Sequence, residues 1–141
     1  CLRPFDMRPG GYSAELANSL IDALGPTGRW YYLTRQIPLD LFYPALMALT
    51  LISLFKWLGS REVSQKLVQI GTWFSIAAAI ADYLENAGIC LMILSWPEIS
   101  ARTVLAASVA SIVKSFFTTT AVLIVLLGLG SWALKRKRAY A

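Results

Sequence analysis

Apolar positions in this chain fall in long runs instead of alternating with polar ones, and the runs cover about 38-58, 67-94 and 101-134. Each reaches or exceeds the roughly 20 residues that a helix needs to cross a bilayer. A hydrocarbon core forces a spanning segment to be a helix or part of a closed barrel. The pattern therefore predicts an all-α integral membrane bundle with three transmembrane helices. Pro38 and Pro44 stand near the start of the first run, where Pro44 predicts a kink. A polar link, Gly59 to Lys66, carries Arg61, Glu62 and Lys66, and Ser95-Trp96-Pro97 ends the second run. The second run holds Gly71, Ala77, Ala78, Ala79, Ala81 and Gly88, small residues that let helix backbones approach closely in lipid. No turn divides the third run, and a helix of that length is about 50 Å long. It must tilt or project beyond a core of about 30 Å.

Ahead of the runs the pattern changes. Cys1 to Tyr12, with Pro4, Pro9, Gly10 and Gly11, reads as an irregular lead-in. A helix is predicted over about 13-24, capped by Ser13, with Glu15 at its positive end and Gly25-Pro26 as its stop. Leu16, Leu20, Ile21 and Leu24 share one of its faces, so it is amphipathic. A short interfacial helix follows over about 27-36. Its Trp30, Tyr31 and Tyr32 with Arg29 and Arg35 are the mixture expected at a membrane–water boundary. The chain is thus one membrane domain, 1-141: an external segment 1-37, a bundle 38-134 and a basic tail 135-141.

Composition agrees with this reading: 57% of residues are hydrophobic and 15% charged, with a mean hydropathy of +0.57. The net charge of +5 does not point to nucleic acid, because Lys135-Arg136-Lys137-Arg138 directly follows the last run. There a stop-transfer anchor or an anionic-lipid contact is the ordinary explanation. Basic residues also set an orientation. Lys56, Arg61, Lys66 and the terminal run would share the cytoplasmic or matrix side of a bacterial inner membrane or an organellar membrane. Arg3, Arg8, Arg29, Arg35 and Arg102 would lie opposite. Cys90, inside the second run, reads as a small packing residue. Cys1 reads either as a lipidated residue left by signal cleavage or as the edge of a cut chain.

The sharpest local signal is a set of ionisable residues inside the runs, which are costly there and usually face a partner or a cavity. Asp82, Glu85 and Asn86 project from one helical face at i, i+3 and i+4. Glu85 lies about 13 Å inward from Leu94, and Lys114 about 16 Å inward from Thr103 on the antiparallel neighbour. The depths allow an ion pair. Two acids against one lysine leave a surplus, so at least one carboxylate is expected to be protonated or hydrogen-bonded to another helix. Tyr83, Ser111, Ser115 and Thr118-Thr119-Thr120 are available donors. Asp40, nearer the outer boundary, is expected to cap the first span or to meet Arg35. The cluster reads either as a structural clasp that fixes helix register or as a proton- or substrate-binding site.

This sequence has no histidine, which removes His-ligated haem, common zinc sites and Ser-His-Asp catalysis. It has no phosphate-binding glycine loop and no paired-cysteine motif. No catalytic residue, metal or cofactor is expected; a bound lipid is compatible with the chain.

The segments Gly11-Tyr12-Ser13, Leu20-Ile21-Asp22-Ala23-Leu24-Gly25-Pro26-Thr27-Gly28-Arg29, Tyr31-Tyr32-Leu33, Leu39-Asp40-Leu41-Phe42-Tyr43-Pro44 and Ala81-Asp82-Tyr83-Leu84-Glu85-Asn86, with the later lysine, carry a resemblance over most of the chain. Together they resemble a family of small four-span helical membrane proteins without an assigned activity. The resemblance implies one more span before the amphipathic helix, so the N-terminus is expected to have been cut. It transfers no function.

The leading expectation is a non-catalytic accessory subunit that packs against other transmembrane subunits, with an energy-transducing complex as one natural host. The alternative is a carrier or receptor for a lipid or small amphiphile, built around Asp82, Glu85 and Lys114. A membrane-embedded enzyme using those carboxylates comes third.

Overall fold

The computed structural model describes residues 4–139; Cys1 and Arg3, and the side chain of Arg138, lie outside what it describes. Among those residues there is no strand. After a 3-10 turn at Phe5–Met7 come α1 (Ala14–Tyr31), a π-helical turn (Tyr32–Gln36), α2 (Ile37–Gly59), α3 (Gln65–Leu94) and α4 (Ala101–Ala139). Three helical stretches are long and apolar enough to cross a membrane, the first being α1 and α2 taken together.

α1 begins as its sequence requires, with the Ser13 hydroxyl accepting from the Leu16 N–H at 3.3 Å. Its buried residues are Ala17, Leu20 and Ile21. Gly25 breaks the helical geometry at φ 61°, ψ 179°, a region that essentially only glycine enters. The Arg29 guanidinium donates to the Ile21 carbonyl at 3.2 Å, satisfying one of the acceptors left at the end of the first half of α1.

No loop separates the residues after Gly25 from the first span. The interfacial helix, about 27-36, and the first span, from about 38, are expected as separate elements; in the structure the chain stays helical from one into the other. Pro38 lacks an N–H, and its ring would collide with the Thr34 carbonyl in a regular α-helix. The π turn over Tyr32–Gln36 widens the helix where that collision would fall. Asp40 therefore lies inside a continuous helix and caps nothing.

α3 is the central helix and packs against both α2 and α4, whereas α2 and α4 touch each other sparingly. Residues three or four apart along α3, from Gly71 through Ser75, Ala78, Asp82 and Glu85 to Ile89 and Met92, are buried. A methyl group at Gly71 would overlap the Phe55 ring on α2, and one at Gly88 would stand 2.6 Å from the Ala107 Cβ on α4. Those two close approaches set the α3 interfaces.

Two apolar clusters hold the ends. At one end Phe5, Tyr12, α1 and Tyr32 pack with Ile89, Met92, Ile93, Val104 and Ala107. Cys90 is half-buried beside this cluster. At the other end Leu51, Phe55, Leu58, Val63, Ala121 and Val125 pack together. Here Trp57 and Trp132 meet edge to face at 5.1 Å, and the Arg61 guanidinium lies 5.1 Å from one ring and 6.0 Å from the other. α4 has 39 residues, about 58 Å at 1.5 Å per residue. It continues helically past Leu134, so Lys135, Arg136 and Lys137 belong to its last turns and not to a separate tail.

Candidate functional site

Between the two apolar clusters lies a polar layer. Lys114 of α4 pairs with Asp82 at 3.2 Å and with Glu85, both on α3. Glu85 also accepts a hydrogen bond from the Ser111 hydroxyl, one turn before Lys114 on α4. The i, i+3 spacing of the two acids and the i, i+3 spacing of Ser111 and Lys114 thus face each other across the antiparallel α3–α4 interface. Glu85 has no measurable exposure, while the Asp82 and Lys114 side chains retain 10% and 18%. Of the two alternatives for the surplus acid, the structure shows the hydrogen bond from a donor on another helix, Ser111 to Glu85.

Asn86 belongs to a different contact. Pro44 has no N–H, so the Asp40 carbonyl, four residues earlier, has no partner within α2. The Asn86 amide donates to that carbonyl at 3.3 Å. The Tyr83 hydroxyl donates to the next one, Leu41, at 2.9 Å. The carbonyl freed by Pro44 thus finds its donor on the neighbouring helix α3. The Asp40 carboxylate accepts from the Gln36 amide at 3.0 and 3.1 Å, so its neighbour is Gln36 and not Arg35.

This pairing has a testable consequence. Asn86→Leu is expected to cost about 1 kcal/mol by stranding a half-buried carbonyl. In a Pro44→Ala background the restored N–H takes that carbonyl, and the same substitution should cost distinctly less. Unfolding of the four proteins in mild detergent measures the difference; equal costs in both backgrounds would disprove the link.

Above the ion cluster, α2 and α4 part to leave a half-open cleft of about 450 Å³. Asp40, Asp82, Asn86 and Lys114 contribute to its walls, with Ser75, Ser115, Thr118 and Thr119; Tyr43, Met47 and Leu51 supply apolar surface. Glu85 is behind the wall and does not line it. A second cavity, about 640 Å³, lies under the 3-10 turn against α1, and among the described residues no Asp, Glu, Lys or Arg lines it. The first cleft is the site with chemistry.

The remaining sequence-selected residues lie away from it. Trp30 and Tyr31 are exposed, as is Arg35. Tyr32, expected beside them at the boundary, is buried in the α1 cluster, on the helical face it shares with Leu24 and Gly28. Arg29 stacks 5.2 Å from the Trp96 ring as well as reaching Ile21. Lys135 donates to the Glu62 carbonyl at 2.9 Å, tying the end of α4 to the α2–α3 link, while Arg136 lies 5.7 Å from the Trp132 ring one turn earlier on α4. Sequence reasoning missed the cleft and the Asp40 carbonyl that Pro44 frees; a proline inside a span, paired with an amide on the next one, was the available signal.

Compared with known proteins, the chain matches no family model, no curated protein and no solved structure.

Proposed function

We propose that this is a non-catalytic integral membrane protein that receives a small amphiphile in the cleft between α2 and α4. One observation carries the reading: charged side chains form part of the wall of a half-open cleft at the middle of apolar helices. Acyl chains offer those groups nothing, so an occupant with a polar end is favoured there. The volume is within the range of small-molecule sites, roughly 300–1,000 Å³. Apolar Met47 and Leu51 would hold the tail. The hydroxyl paired with a carboxylate, Ser111 on Glu85, is buried behind the cleft wall and away from any occupant, which counts against catalysis.

The orientation follows the charges: the α2–α3 link and the end of α4 on the cytoplasmic or matrix side, α1 on the other. α1 and the helical turn after Gly25 would rest at the membrane boundary, since Ala17, Leu20 and Ile21 face the bundle while Trp30 and Tyr31 are exposed.

A second reading, an accessory subunit of a larger membrane assembly, is supported by the open sides of the outer helices. Only 22% of the apolar window in the α1–α2 stretch and 17% of that in α4 is buried, against 44% for α3. Those faces suit other helices as well as lipid.

Native mass spectrometry after purification in mild detergent separates the readings. The amphiphile reading expects a bound small molecule that disappears in Ala48→Phe, which fills the cleft without touching the ion pairs. Stoichiometric transmembrane partners with an empty cleft would replace it by the subunit reading.

A further inference from the structure

We infer that the polar end of the occupant is a protonated amine, not a phosphate or a carboxylate. The inference rests on the amphiphile reading and adds its charge. The ammonium group of Lys114 is engaged by both Asp82 and Glu85. Of these three, only Asp82 and Lys114 reach the cleft wall. The other carboxylate in the wall, Asp40, meets the neutral amide of Gln36. Among the described residues, and counted with Glu85 behind it, the site holds three carboxylates and one ammonium.

An anionic head would add a further negative charge in a region of low dielectric, where an uncompensated charge is strongly penalised. A cationic head lowers the surplus and finds Asp40 and Asp82 on the same cleft. Neutral groups complete its surroundings: Ser115, Thr118 and Thr119 on α4 can accept hydrogen bonds from an ammonium through their hydroxyl oxygens. The apolar residues on the α2 side leave the tail a path toward the acyl chains. The ligand class is a single-chain amphiphilic amine.

The test uses the full chain in a neutral detergent and a fluorescent long-chain alkylamine as probe, with its N-acetylated form as the neutral twin and an alkyl phosphate of equal length. The amine is expected to bind at least tenfold more tightly than either. Asp40→Asn and Asp82→Asn should each weaken amine binding severalfold while leaving the N-acetylated probe unchanged. Asp40→Asn spares the Lys114 ion pairs, so it remains informative if Asp82→Asn fails to fold. Equal binding of the amine and its acetylated twin, both abolished by Ala48→Phe, would overturn the charge inference and leave the amphiphile reading standing. Tight amine binding that persists in Ala48→Phe would overturn it too, by placing the probe outside the cleft. Failure of all three amphiphiles to bind would remove both proposals.

Discussion

Lys114→Met is expected to destabilise the bundle by about 3–5 kcal/mol, the usual cost of stranding buried charge by removing one partner of an ion pair. The reason is specific to the α3–α4 interface. Lys114 is the cation that both Asp82 and Glu85 meet, and Glu85 has no exposure through which water could replace it. Ser111 would still donate to Glu85, but one hydroxyl does not balance two carboxylates. The magnitude should come from charge and not from shape, since Met keeps most of the Lys stem. Adding Asp82→Asn and Glu85→Gln to Lys114→Met should therefore recover most of the loss, because an all-neutral layer has no stranded ion. Thermal and denaturant unfolding in mild detergent reads both variants. Unchanged stability of Lys114→Met would show that the layer is not a clasp, and a triple variant as weak as the single one would show that packing, not charge, is what Lys114 provides.

How much of this layer can be read without coordinates depends on which property is asked for. Depth is legible: counting inward from Leu94 and Thr103 puts Glu85 and Lys114 at one level, because helix rise is constant and adjacent spans are antiparallel. Shared face is legible too, since Asp82 and Glu85 are one turn apart. Rotation about the helix axis is not. In α2 and α4 apolar residues surround the helix, so periodicity does not say that Ser111 and Lys114 turn inward while Phe116 turns out. The same ambiguity hid the cleft, which exists because α2 and α4 diverge from a shared central helix. Pro44 illustrates a different gap. Its missing N–H was visible, but the identity of the donor replacing it depends on which α3 residue comes level with Asp40. Tyr32 was misplaced for a third reason: its ring and its neighbours Trp30 and Tyr31 suit a boundary, while its burial follows from the helical face it shares with Leu24 and Gly28, which residue type does not reveal. At the link end, the Trp57, Trp132 and Arg61 contacts join residues far apart in sequence and escaped notice for the same lack of phase information.

The close α3–α4 approach supports the ion layer, and Gly88→Ala should demonstrate it. The added methyl would stand 2.6 Å from the Ala107 Cβ and 3.3 Å from its backbone Cα, so a side-chain rotation cannot relieve the contact. The helices must separate, at a cost of about 1–3 kcal/mol for overpacking. Separation reaches the polar layer directly, because Gly88 is one turn from Glu85 and Ala107 is one turn from Ser111. Gly88→Ala should accordingly lengthen the Ser111–Glu85 contact and lower the stability gained from Lys114. Ala107→Gly opens room on the opposite wall at about 1 kcal/mol of helix propensity. The pair Gly88→Ala with Ala107→Gly keeps one methyl at the crossing and should regain most of the stability lost in Gly88→Ala alone. A double variant whose loss equals the sum of the singles would show that the crossing distance does not govern the interface. Recovery would mean that a single missing methyl sets the distance at which the ammonium of Lys114 meets both carboxylates.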